Sequence, residues 1–177
     1  MAFWGQGMEL PHEAYFYTLA TVGITFAGFA SILMALRQDR TSGMSRFHLW
    51  VAKSYIQSGL FTAMCALIGP LLFALGLSQD LTWRVASLLI GFPSLAMLTT
   101  APGQWRAASQ MPVPLRVWIQ IAIGVIVNLL LLFNAAGWPW PPQGGLVMLA
   151  VSWNLFAFFI QFAESVNFFF EDEQNPP

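Results

Sequence analysis

Apolar and polar positions alternate along this chain on the scale of whole helices: five long hydrophobic runs are separated by short polar breaks. A helix needs about 20 predominantly apolar residues to cross a hydrocarbon layer about 30 Å thick. Apolar length and breakers predict spans at about 14–36, 54–77, 84–102, 116–136 and 146–168. The breaks are as telling as the runs. Gln38 to Ser45 mixes Arg, Asp, Thr, Ser and Gly, and Ser78-Gln79-Asp80 reads as a short turn. Pro102 to Pro114 holds three prolines, and Gly137 to Gly145 is rich in Pro, Gly and Trp. Proline lacks the amide hydrogen and clashes with the preceding turn, so the last of these segments reads as non-helical. The fold class expected is all-α, a single bundle of five transmembrane helices over residues 1–177.

Composition agrees with the pattern. Charged residues are 8% of the chain and apolar ones 57%, against roughly 25% charged in a soluble domain. So few charges could not cover the surface of a water-soluble fold of this size. Their placement also orients the chain. Arg37, Arg40, Arg46 and Lys53 lie in or beside the first connection, Arg106 and Arg116 flank the third, and only Arg84 falls on the other side. The positive-inside rule makes the six-residue side cytoplasmic, with the N-terminus outside and the C-terminus inside. Tryptophans fit headgroup depth at both ends: Trp4, Trp83, Trp138 and Trp140 outside, Trp50, Trp105 and Trp118 inside. Trp153, a third of the way into the last span, is the exception.

Several function classes are disfavoured. A net charge of −1 offers no basic patch for nucleic acid. The single Cys65 sits in an apolar run and reads as a small buried hydrophobe. Two histidines and one cysteine cannot build a four-ligand zinc site without carboxylates. His12 and His48 are predicted on opposite sides of the membrane, which argues against a shared haem. No nucleophile, phosphate-loop or dinucleotide motif occurs. No catalytic residue, metal site or cofactor is therefore expected.

What remains is polarity inside the spans, where a polar side chain gains nothing by facing acyl tails. Thr18, Thr21, Thr25, Gly28, Ser31 and Ala35 recur every three or four residues and share one face of the first helix. Ala20, Gly23, Ala27 and Ala30 run beside them. Two readings fit the hydroxyl row: lining of a water-filled path, or close packing with each hydroxyl bonded one turn back. On the second span Ser54, Ser58, Thr62, Cys65 and Gly69 form a small face. The fourth carries Gln120, Gly124 and Asn128 on one face, the fifth Asn154, Ala157, Gln161 and Glu164. Asn128 and Asn154 fall at comparable depth and are expected to pair across the hairpin. Glu164 is the one carboxylate within a span, near enough to its end to snorkel. Glu9 and Glu13 lie at the outer mouth, and Glu171, Asp172 and Glu173 at the inner one, where acidic groups would concentrate cations or pair with nearby arginines.

The segment Leu19 to Arg37, LATVGITFAGFASILMALR, has a TFAGF core at Thr25 to Phe29. It resembles the first helix of small, uncharacterised bacterial multi-span membrane proteins. The likeness covers little more than one helix and brings no activity with it. The reading these features favour is a homo-oligomeric channel in a bacterial inner membrane, passing cations or protons along the first helix. The alternative is a non-catalytic accessory or assembly subunit packed against other membrane subunits. In both, the lipid bilayer is the first partner.

Overall fold

A computed structural model describes residues 10, 12–40, 46–109 and 112–174, apart from the side chains at 33–34, 36–40, 46–49, 52 and 164–174. Those residues form five helices and no strand: α1 (Glu13–Arg40), α2 (Arg46–Ala74), α3 (Gln79–Ser109), α4 (Leu115–Ala136) and α5 (Gly144–Gln174). All five contain stretches long and apolar enough to cross a membrane. The outer surface carries large apolar side chains such as Ile24, Ile32, Met64, Leu71, Phe92, Ile126 and Phe156. In water such a surface would aggregate, whereas against acyl chains it is ordinary.

Four of the helices exceed the predicted spans by several residues. The second begins at Arg46 rather than near 54, and the fifth begins at Gly144, inside the segment expected to be non-helical. The third runs through Pro93 and Pro102 to Ser109, although Pro102 was expected to end it. Apolar length measures the hydrocarbon layer, and a helix is free to continue past it into the headgroups. Nor does a proline stop a helix when neighbouring groups take up the carbonyl it leaves.

α1 packs chiefly on α2 and α3 on α4, while α5 touches all four. The α1–α2 contact is a backbone contact. A Cβ built on Gly23 would stand 2.9 Å from the Gly59 carbonyl oxygen, and one on Gly59 would stand 2.8 Å from that of Gly23. Ala27 and Ala63 flank the crossing, each four residues on from its glycine. In hydrocarbon no water is released when helices meet, so close approach and van der Waals contact must hold them together. Small residues make that approach available.

The end of the bundle carrying the α2–α3 and α4–α5 turns is sealed around Trp83. Expected at the interface, this ring is instead 1% exposed. It stacks on Phe16 with centroids 5.7 Å apart. It also lies so near Gly69 and Gly144 that a Cβ there would come within 2.8 and 2.6 Å of it. Residue type and depth allowed either direction. Two glycines from other helices leave room for an indole, and that decides it.

Asn134, fully buried, completes the seal and was not singled out by the sequence. Its amide nitrogen donates to Ser87 Oγ at 2.9 Å and to the Gln143 carbonyl at 3.1 Å. Its oxygen accepts from the Gln143 N–H at 2.8 Å. One carboxamide thus joins α3, α4 and the residue preceding α5. Beside it Arg84, the lone basic residue at this end, donates to the carbonyls of Ala135 and Ala136 at 3.3 Å each. A cation at a helix C-terminus meets the negative end of the helix dipole. Gly137 closes that terminus at φ 70°, donating to Phe133 and Asn134 carbonyls.

At the opposite end, named here the basic end, Phe26 of α1 packs edge-on against Tyr55, Phe159 and Phe162. The Tyr55 hydroxyl donates to the Gln161 carbonyl at 2.7 Å. These contacts hold α1, α2 and α5 together.

Two substitutions on α1 test the packing. Gly23→Val, which forces α1 off the α2 backbone, is expected to cost about 1–3 kcal/mol. Gly28→Val, where a Cβ meets nothing within 4 Å, should fall within about 1 kcal/mol of the unmodified protein. Thermal melts in detergent followed by circular dichroism compare them, and equal losses would refute the backbone contact. Asn134→Leu, which strands the Gln143 backbone groups and Ser87, should lower stability by about 2–4 kcal/mol in the same assay.

Candidate functional site

Two polar regions emerge from this packing, and they face opposite ways. The first is the hydroxyl row of α1. Phe16, Leu19, Ala20, Gly23, Phe26, Ala27 and Ala30 fill the buried face of that helix. Thr18, Thr21, Thr25, Gly28, Ser31 and Ala35 consequently lie on the exposed face, outside the chain's own bundle. Thr18 Oγ1 donates to the Ala14 carbonyl and Thr21 Oγ1 to that of Tyr17, both at 2.9 Å. Ser31 Oγ donates to the Ala27 carbonyl at 2.8 Å. The row is therefore neither an internal path nor the α1–α2 packing surface, which belongs to Gly23 and Ala27. At the head of α1, Glu13 accepts a 2.6 Å hydrogen bond from the Tyr17 hydroxyl.

The second region is a cavity of about 670 Å³ between α2, α3, α4 and α5. It exists because α3 and α5 meet only lightly, while the tight seal lies at the other end. From α2 it is lined by Trp50, Ser54, Gln57, Ser58, Phe61 and Met64, from α3 by Ser94, Met97, Thr100, Gln104 and Trp105. Arg116 and Gln120 of α4 and Trp153, Asn154, Phe158 and Gln161 of α5 complete the wall. At the basic end Trp50 and Trp105 meet edge to face, centroids 6.1 Å apart, and bridge α2 to α3.

Four of the carboxamide positions picked from the sequence belong to this hairpin, but their pairing differs from the expected one. Gln161 Nε2 donates to Gln120 Oε1 at 3.0 Å, so the glutamines form the α4–α5 cross-link. Asn128 turns back on its own helix, donating to the Gly124 carbonyl at 2.8 Å, and its Oδ1 has no partner among the described residues. Asn154 faces the cavity instead. Depth alone put the two asparagines opposite each other. The shorter asparagine side chain reaches its own carbonyl one turn back before it spans the gap, whereas glutamine's extra methylene lets it cross.

Among the described residues three buried hydroxyls have no hydrogen bond, Ser94 Oγ, Thr62 Oγ1 and Thr82 Oγ1. Of these, Ser94 lines the cavity. A Cβ on Gly91 would lie 4.0 Å from Asn128 Oδ1, so Ser94, one turn on, runs level with Asn128. Gln120 faces Gln161, which sets Asn154 within about a turn of that level. Serine oxygens on these helices usually bond the carbonyl one turn back, as Ser54 and Ser152 do. Ser94 departs from that habit.

The side chains of Glu164, Glu171, Asp172 and Glu173 lie outside the described residues, as does Glu9. Among the described residues no group of three or more His, Cys, Asp or Glu could hold a metal ion. Cys65 is buried and free. No family model, no curated protein and no solved structure matches this chain.

The Gln120–Gln161 bond should be separable by a double-mutant cycle. Gln120→Leu and Gln161→Leu are expected to show a coupling of about 0.6–1.7 kcal/mol in detergent melts. Additive losses would mean that the two amides do not share a bond.

Proposed function

We propose that the protein is a non-enzymatic subunit of a homo-oligomeric channel in a bacterial inner membrane, conducting cations or protons along α1. One observation carries this reading: the hydroxyl row lies on the exposed side of its helix, where packing within the chain consumes none of it. A spanning helix that turns threonine and serine outward turns them to lipid, to another copy or to another protein. Lipid gives them nothing. The back-bonding at Thr18, Thr21 and Ser31 adds a polarity. A hydroxyl whose hydrogen is committed to its own helix keeps its lone pairs for what lies outside, and a row of such oxygens suits a cation or a water chain. Glu13 adds a carboxylate at the head of the same helix.

The accessory-subunit reading draws on the same face. Hydroxyls already satisfied by their own backbone pack dry against a neighbour without penalty. The open space around Gly28 would let that neighbour come close.

The proposed orientation has the turns of α2–α3 and α4–α5 outside and the basic connections in the cytoplasm. In a Cys65→Ala background, cysteines at Ser78 and Gln143 should react with a membrane-impermeant maleimide in intact cells. One at Ala107 should react only after lysis, and the reverse order would invert the topology. Thr25→Leu separates the two functions: cation flux in liposomes is expected to fall at least about tenfold with the oligomer intact. Loss of assembly would support the accessory role, and unchanged flux would remove α1 from the path.

A further inference from the structure

We propose that the cavity between α2 and α5 binds an uncharged, membrane-dissolved amphiphile whose flat ring head accepts hydrogen bonds at two opposite carbonyls, the chemistry of a para-benzoquinone. The inference stands apart from the conduction reading, since none of the α1 hydroxyls lines this space. Its volume, about 670 Å³, lies within the range of small-molecule sites and accommodates a ring with a tail of about ten carbons.

The wall explains the neutral head. Among the described residues, Arg116 at the basic end of α4 is the one charged residue lining the cavity, and no carboxylate does. Among those residues an ammonium would find no counter-ion, and a carboxylate carried past Arg116 to the inner end would meet neutral side chains in a hydrocarbon layer. Those neutral groups are donors in want of acceptors. Ser94 is 5% exposed, lines the cavity, and its hydroxyl has no partner among the described residues. Asn154 lies on the facing helix at the same level. Gln120 accepts through its carbonyl oxygen, which leaves its amide hydrogens to the cavity.

Spacing narrows the class. Along α5 the step from Asn154 to Gln161, and so to the bonded Gln120, is seven residues, or about 10 Å of helix. A para-quinone bonded at both carbonyls needs donors about 11 Å apart, two hydrogen bonds of about 2.9 Å plus the width of the ring. Phe158 lines the α5 wall between those levels and Trp153 lines it beside Asn154, so aromatic side chains border the space a flat ring would take. The way in is lateral. Leu60, Met64 and Met97 line the cavity and are 48%, 66% and 40% exposed on the apolar outer surface. A molecule dissolved in the membrane reaches this rim without crossing water.

The test uses the full chain in nanodiscs, titrated with a decyl-substituted para-benzoquinone and read by quenching of tryptophan fluorescence. Quenching should saturate, and Trp153→Phe should reduce its amplitude. Ser94→Ala and Gln120→Leu should each weaken the apparent affinity about two- to tenfold. Ala157→Trp, which fills the cavity, should abolish the saturable component, with melting curves reporting that each variant is folded. Decanol and palmitate should not compete. Quenching that only rises in proportion to quinone dissolved in the lipid, or saturation unchanged in the folded Ala157→Trp variant, overturns the proposal. Equal competition by decanol, or by palmitate, overturns it too, assigning the space to any chain or to an anionic head.

Discussion

Lipid offers no hydrogen-bond partner, and most of what distinguishes one end of this bundle from the other follows from that constraint. A polar side chain placed at hydrocarbon depth must be met by its own backbone, by another helix or by something that enters from outside. The end around Trp83 relies on the first two options. Asn134 has both its donor and its acceptor sides engaged, and Arg84 closes the α4 carbonyls. Among the described residues at this end, the Thr82 hydroxyl is buried without a partner.

The other half of the bundle is built differently. Its helices are joined by aromatic edges and by two long side-chain reaches, Tyr55 to Gln161 and Gln161 to Gln120. Such contacts fix helix positions without filling the space between them, and a cavity results. Ser94 and Asn154 line it. A half that is sealed and a half that is propped open is an economical plan for a membrane protein: rigidity is concentrated where the turns are, and the volume for a guest lies where the helices would otherwise be free to settle together. The outward row on α1 adds a second polar surface, on the outside of the bundle.

How much of this could be read beforehand differs residue by residue. Five helices were legible because crossing hydrocarbon demands a length of apolar chain that nothing else in a 177-residue protein imitates. The helix ends were not, because the helices outrun the layer that writes the signal. Gly23 and Ala27 were legible as small residues beside the hydroxyl row, whereas their meeting with Gly59 and Ala63 came only with the packing of α1 on α2. The glutamines were recognisable as polar groups in lipid, yet which carboxamide would cross to which helix depended on a single methylene and a fraction of a turn. Asn134 lay at the edge of a proline-rich segment, where an asparagine looks like an ordinary turn residue.

The amino-acid sequence by itself determined that the chain forms apolar helices of spanning length, how many there are, and which faces carry hydroxyls and amides, because periodicity and hydropathy are properties of one helix at a time. Only the tertiary structure decided which of those faces turn inward. It put the threonine row outside, drew Trp83 into the core, paired Gln120 with Gln161 and left Ser94 and Asn154 bordering a space. Those outcomes depend on relative rotation and register between helices. Such quantities are set by a few small residues and ring contacts far apart in the chain, and no single helix contains them.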